Sequence, residues 1–313
     1  MEQPLDRRSF VKRSATLGAV FIVGGKIVTL FDRALGEENL TPEAVDIACV
    51  EGENYYDSTR KAVEMLGGMS RFVAKGARVG LLVNSVFTKP GTYAKPQITL
   101  AVLAMCSDAG AKEFVSLEDA PGSYWRKAAK TDELSALLDT LKSPGSHTTV
   151  EIPKGRKLKK AEILREFLSC DVLINIPIFK DHEGTRFTGV LKNIMGATSS
   201  STNRFFHSGS GSGGGYEDVD FLSQCIADAH LIRTPTLCVA DGTELVVTNG
   251  PSGPGRIEKP KKVVAGTDPV AIDTFGATIV GRESNGVAMI RMAQEHGLGT
   301  MDLQKLRISS VKV

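Results

Sequence analysis

The sequence predicts an α/β fold: a mostly parallel sheet with helices on both faces. Two observations carry that prediction. Short, continuous apolar runs such as ARVGLLVN (Ala77–Asn84) and DVLINI (Asp171–Ile176) have no alternating polar face, so strands built from them need cover on both sides. Segments of helical periodicity separate these runs. Such alternation returns the chain by parallel crossovers and gathers the strand ends along one sheet edge.

Taken in order, Pro42–Gly52 leads into a helix over Ser58–Phe72, with Ala62, Val63, Leu66 and Met69 on one face. Strand Ala77–Asn84 follows, then a helix over Gln97–Ala109 stopped by Gly110, then strand Glu113–Leu117. A polar helical stretch covers Trp125–Leu141, and Lys154–Lys160 is a basic loop. A helix over Ala161–Leu168 precedes the strand Asp171–Ile176. The run SGSGSGGG (Ser208–Gly215) reads as a flexible loop. It is followed by a helix over Asp218–Ile232 and strands at Thr236–Ala240 and Lys262–Ala265. Asp268 as N-cap and Pro269 at the first helical position open a helix running to Gly281, and Gly286–His296 gives the last one. A break between Ser143 and Lys160 divides the expected chain into an N-terminal lobe, 40–150, and a C-terminal lobe, 151–313.

Composition narrows the function classes. With 313 residues, 42% hydrophobic and 24% charged, the chain suits one large or two modest globular domains. Its 38 basic and 36 acidic residues leave a net charge of +2, much of it in the first 26 residues, so there is no basic face for nucleic acid. The five cysteines, Cys49, Cys106, Cys170, Cys225 and Cys238, are scattered singly without a CxxC pair. They read as small core hydrophobes and make an iron–sulfur cluster a poor expectation.

The N-terminus carries an address. Arg7, Arg8, Phe10 and Lys12 in DRRSFVKR match a twin-arginine export signal, which implies the twin-arginine translocase as a partner and a periplasmic or exported location. The run Ser14–Phe31 is broken by Gly24, Gly25 and Lys26 and is too weakly apolar for a spanning helix. The expected signal segment is 1–36. Cleavage could follow Ala34-Leu35-Gly36, or the uncleaved segment could stay as a membrane anchor.

Polar and ionisable residues stand at the C-terminal ends of the expected strands: Asn84; Glu118 and Asp119; Lys180 and His182; Asp241; Thr267 and Asp268. Parallel strands would bring them to one edge, where open α/β sheets bind ligands. A lysine there can hold an anion or act as a base, and an imidazole can bind metal or relay a proton. Lys180, His182 and His207 are therefore the expected catalytic groups, and Lys192, Asn193, Asn84 and Glu118 the expected anion-binding groups. His182, His207, Asp241 and Asp273 are the expected ligands of a metal, should one be bound. In TGVLKNIMG, Thr188 can cap a short helix and Gly196 can end it, offering donors to a phosphate or carboxylate. The plainer alternatives are a solvated ion pair among Lys180, Asp181 and Glu183, and a purely capping role for Asp268.

Ordered along the chain, LLVN, GAKEFVSLEDAPG from Gly110, NIPIFKDH from Asn175, TGVLKNIMG, His207, VADG, GPSGPG and AGTDPVAID resemble the domain of unknown function 362 family, over about Val79 to Arg307. That family has no generally established reaction. Many members carry added ferredoxin-type cysteine clusters, which this chain lacks. The alternation and the Lys/His edge also distantly resemble the nickel-dependent lactate racemase family. The expected function is an exported protein with a cationic, histidine-containing crevice, an enzyme acting on a small anionic substrate with a metal or tightly bound cofactor. The alternatives are a periplasmic ligand-binding or maturation protein without catalysis, and a redox partner lacking its iron–sulfur module.

Overall fold

The computed structural model describes residues 20–23, 26–29, 45–118, 122–128, 131–208 and 218–313. The chain divides into two compact units, Met1–Glu43 and Ala44–Val313. Within the first, β1 (Val20–Val23) pairs antiparallel with β2 (Lys26–Thr29). The twin-arginine motif, Asp6–Arg13, lies outside the described residues, as do Ala34–Gly36. Among the described residues no helix is long and apolar enough to cross a membrane.

The second unit is built on one eight-stranded sheet. Its elements in chain order are β3 (Ile47–Glu51), α1 (Tyr55–Met65), β4 (Arg78–Val83), α2 (Pro96–Asp108), β5 (Glu113–Ser116), α3 (Gly122–Trp125), α4 (Asp132–Asp139), β6 (Leu141–Lys142), β7 (His147–Glu151), β8 (Lys160–Leu164) and α5 (Arg165–Ser169). Then come β9 (Val172–Ile176), α6 (Val190–Asn193), α7 (Ser200–Ser208), α8 (Val219–Ala229), β10 (Leu237–Gly242), β11 (Leu245–Val246), β12 (Ile257–Glu258), β13 (Lys262–Gly266), α9 (Pro269–Ile279), α10 (Ala288–Glu295) and β14 (Ile308–Lys312). The strand order is β14-β3-β13-β10-β9-β4-β5-β6, and all neighbours are parallel except where β13 runs against β3 and β10. Every residue of β9 and β10 is buried, which is why VLINI and LCVADG carry no polar alternation.

Connections leaving β4 and β5 step outward to β6, whereas the connection leaving β9 steps the other way to β10. Right-handed crossovers put these two sets of helices on opposite faces. Accordingly α1, α2 and α4 pack on one another, as do α6, α8, α9 and α10. The chain thus reverses direction between β4 and β9. At such a switch point the loops beyond the strand ends part and leave a crevice.

The structure corrects four expectations. Strands from 40–150 and 151–313 interleave in a single sheet, so the break near residues 143–160 is not a domain boundary. Ala161–Leu168 is not one helix: Lys160–Leu164 pairs antiparallel with His147–Glu151, and only Arg165–Ser169 is helical. Ala161 and Ile163 are buried while Lys160 and Glu162 face outward, a period of two that suits a strand. The stretch Trp125–Leu141 is likewise broken, with α4 beginning at Asp132 behind a Thr131 cap. Finally, the antiparallel β13 carries Thr267 and Asp268 to the opposite edge from the other strand ends. There Asp268 caps α9, accepting from Ala271 N at 2.8 Å, and accepts from Thr300 N at 2.9 Å.

Candidate functional site

Beyond the C-terminal ends of β4, β5 and β9 lies an open cavity of about 470 Å³. Asn84 and Phe87 line it after β4, Glu118 after β5, Lys180 and His182 after β9, Lys192 and Asn193 from α6, and His207 from α7. Every expected catalytic and anion-binding residue therefore borders one space, at the switch point.

Lys180 is 1% exposed. Its backbone pairs with Thr188 in both directions, fixing the loop between them. Its Nζ donates to the Thr92 carbonyl at 2.6 Å and sits 4.4 Å from the centre of the Phe87 ring. Burial first, and the nearby Lys192 charge second, push its pKa down to about 7, against the pull of Glu118. The plainer alternative, an ion pair of Lys180 with Asp181 or Glu183, does not form among the described residues. Asp181 instead accepts from Arg282 at 2.7 Å and from Gly250 N at 3.0 Å, tying down the loop that contributes Pro251 to the cavity wall.

His182 presents its Nδ1 to two backbone donors, Gly184 N at 3.1 Å and Thr185 N at 3.2 Å. An Nδ1 that accepts must lack a proton, so the neutral ring carries its proton on Nε2. Burial and the Lys192 and Lys180 charges drive its pKa far below the usual imidazole range. In this tautomer Nε2 is a hydrogen-bond donor, suited to an anion and not to a metal. His207, half-buried at the end of α7, is also held below its usual pKa by burial and by Lys192. The glycine-rich run that follows, residues 209–215, lies outside the described residues.

Lys192 and Asn193 sit on α6, a helix of four residues. So short a helix cannot stand alone, and its backbone is gripped from outside. Asp273, fully buried on α9, accepts from Val190 N at 2.6 Å and Leu191 N at 2.9 Å. Asn175, near the C-terminal end of β9, donates to Val190 O at 3.0 Å, and the His230 ring bonds Leu191 O at 2.9 Å. Gly189 is required, because a Cβ there would lie 2.2 Å from Asp273 Oδ1. The expected Thr188 cap is absent: Gly189 is the N-cap, without a side-chain bond, and the first helical donors are taken by Asp273. The helix end thus offers no cradle for a phosphate. What α6 offers is the Lys192 ammonium, 3.2 Å from Met195 Sδ, with its pKa lowered to about 8 by burial.

An amide chain locks the floor. Asn84 donates to Asn193 Oδ1 at 3.0 Å, and Asn193 donates to Asn175 Oδ1 at 2.8 Å and to Leu82 O at 3.1 Å. Glu118 is 8% exposed, and its Oε2 has no hydrogen-bond partner among the described residues. That oxygen packs where a Cβ on residue 196 would come within 2.8 Å, so Gly196 lets the carboxyl in rather than merely ending a helix. Burial raises the Glu118 pKa to about 8 despite Lys180, so the carboxyl is mostly neutral at pH 7. With Glu118 and both histidines neutral, the cavity is net positive.

The expected metal set does not assemble. Among the described residues no three His, Cys, Asp or Glu side chains come together as metal ligands. Asp241 accepts from Lys95 N at 2.6 Å and Thr243 N at 2.7 Å, and Asp273 serves α6, so both carboxylates hold backbone. Sequence reasoning missed Asn175 and the acceptor role of the Thr92 carbonyl. Asn175 did leave a signal, since an amide inside an apolar strand must find partners.

The chain belongs to the family described as domain of unknown function DUF362, which it matches over residues 79–278. A thylakoid-associated protein of Synechocystis sp. is 29% identical over 203 residues, which cover 62% of this chain and 60% of the relative. The chain thus spans 60% of that relative's length, less than two thirds. Among solved structures, the lactate racemase apoprotein from Thermoanaerobacterium thermosaccharolyticum aligns with 71% of this chain and 56% of its own, at 14% identity and a TM-score of 0.38. A Thermotoga maritima protein aligns with 78% of this chain and 60% of its own, at 13% identity and a TM-score of 0.34.

Proposed function

We propose that the protein binds a small anion in this cavity and acts on it there. One observation carries the reading. Two amino groups lowered in pKa by burial, Lys180 and Lys192, border one open cavity, and among the described residues neither has a carboxylate partner. A fold that brings two like charges together without a counter-ion leaves that role to a ligand. The Nε2–H tautomer of His182 adds a donor of the right kind. The same tautomer argues against a metal-centred version of the reading.

The test is thermal denaturation of the full chain at pH 6.5 with phosphate, acetate, oxalate and glyoxylate, for wild type and Lys192→Met. A ligand bound only by the folded state stabilises it by about 2.7 kcal/mol at a hundred times its Kd. Stabilisation of wild type by at least one of these anions, lost in the variant, is expected. No response in wild type, or an equal response in both, rejects the reading.

We also propose that the protein is exported through the twin-arginine pathway. The motif Arg7-Arg8 with Phe10 and Lys12 supports this, and a relative named for its association with thylakoids is compatible with a site at a membrane. Replacing Arg7 and Arg8 by Lys should retain the protein in the cytoplasm. Unchanged export of that variant removes the assignment.

A further inference from the structure

Lys180 is an unusual lysine even for an anion site. A side chain meant only to attract an anion does best as a hydrated, mobile ammonium. This one is enclosed at the end of a buried strand, held by a single carbonyl acceptor and packed against an aromatic face. A second ammonium and a carboxyl group border the same cavity without pairing with it.

We propose that Lys180 is a nucleophile that forms an imine with a small 2-oxo acid, whose carboxylate is held by Lys192. The proposal rests on the anion-binding reading above and deepens it. Desolvation beside another cation is a general way to make a lysine nucleophilic near neutral pH. An amine that donates one N–H to the Thr92 carbonyl keeps its lone pair for the substrate carbonyl carbon. The N–C bond forms as the carbonyl π pair moves to oxygen. Loss of that oxygen as water needs one proton beyond the two carried by the amine, if the product is the protonated imine. The Glu118 carboxyl, neutral at pH 7, supplies one. Amine, 2-oxo acid and carboxylic acid thus become protonated imine, water and carboxylate, and the new Glu118 carboxylate faces the new cation across the cavity. The depressed Lys180 pKa agrees with this role.

Full-length protein incubated with glyoxylate and cyanoborohydride at pH 7.5 tests it. The reductant converts the imine into a stable carboxymethyl-lysine that peptide mass spectrometry locates. An exposed lysine is only about 0.1% unprotonated at that pH, so Lys180 should be modified at least about 10-fold faster than any exposed lysine. Glu118→Gln should slow the labelling, and acetate in excess should protect against it. In parallel, thermal stabilisation by glyoxylate is measured in wild type and in Lys192→Met. If glyoxylate stabilises wild type, and does so through Lys192, while Lys180 stays unmodified or reacts no faster than surface lysines, the imine proposal falls and the anion reading stands. If glyoxylate neither stabilises nor labels the protein while another anion stabilises it through Lys192, the imine proposal alone falls. If no anion does, both fall.

Discussion

Replacing Lys180 by Met should stabilise the protein at neutral pH, and the size of the gain can be worked from the site. Methionine keeps an unbranched side chain of similar volume, so packing against Phe87 changes little. The depression of the Lys180 pKa from 10.5 to about 7 means that folding at pH 7 carries a desolvation burden for an amine that is fully charged in the unfolded chain and about half charged in the folded one. This burden is ~4 kcal/mol at pH 7. Losing the bond to Thr92 O offsets ~1 kcal/mol of the gain. The variant should therefore be more stable by ~2–3 kcal/mol at pH 7. The sign follows from proton counts. Between pH 7 and 10.5 the unfolded chain holds more protons on Lys180 than the folded one, so wild-type stability rises with pH relative to the variant. Near pH 10 the advantage should be gone. Glu118 titrates with the opposite slope, but it is present in both proteins, and its contribution largely cancels in the difference. Denaturant unfolding at pH 7, 8, 9 and 10 measures this directly. A variant less stable than wild type at pH 7, or a difference that does not change with pH, would refute the reasoning.

Asp273→Asn keeps one acceptor but turns an amide NH₂ toward a buried backbone N–H of α6. It should cost about 1–3 kcal/mol and abolish Lys192-dependent anion stabilisation; an Asn variant that binds anions as well as wild type would show that the clamp does not position Lys192. All five cysteines are free and buried, and burial raises the thiol pKa of Cys49, Cys106, Cys170, Cys225 and Cys238. Native protein should therefore react slowly with a thiol reagent and release five equivalents on denaturation without reductant.

The central strands were legible because burial on both faces forces apolar continuity, as in VLINI and LCVADG. Strand direction was not. KVVAG reads like its parallel neighbours, and only the short link through β11 and β12 turns β13 against β10, which removed Asp268 from the expected edge. The edge strand β14, ISSVK, escaped because a strand exposed on its outer side needs only partial apolar patterning. The hairpin β7–β8 escaped for a different reason. KAEIL runs on into REFLS, which is helical, and the joined segment imitates one amphipathic helix. Short apolar runs are ambiguous in this way until pairing decides them.

The site residues themselves were visible because a polar group at the end of a buried strand has few bland reasons to be there. Their supports were not, and the difference is one of range. Lys192 lies on a four-residue helix whose position is set by Asp273 on α9, His230 at the end of α8 and Asn175 in β9. Each of these bonds joins side chain to backbone across the fold, and backbone leaves no residue-specific trace in a sequence. Asp273 was expected to meet a ligand and meets the peptide groups of Val190 and Leu191 instead. Asp241 likewise spends its carboxylate on Lys95 N and Thr243 N. Both carboxylates hold backbone, Asp273 that of α6 and Asp241 that of Lys95 and Thr243, and both are withheld from the cavity. That withholding is what leaves Lys180 and Lys192 without an acidic partner. The positive cavity thus follows from where the fold sends its carboxylates, not from an excess of lysines in a chain whose net charge is only +2.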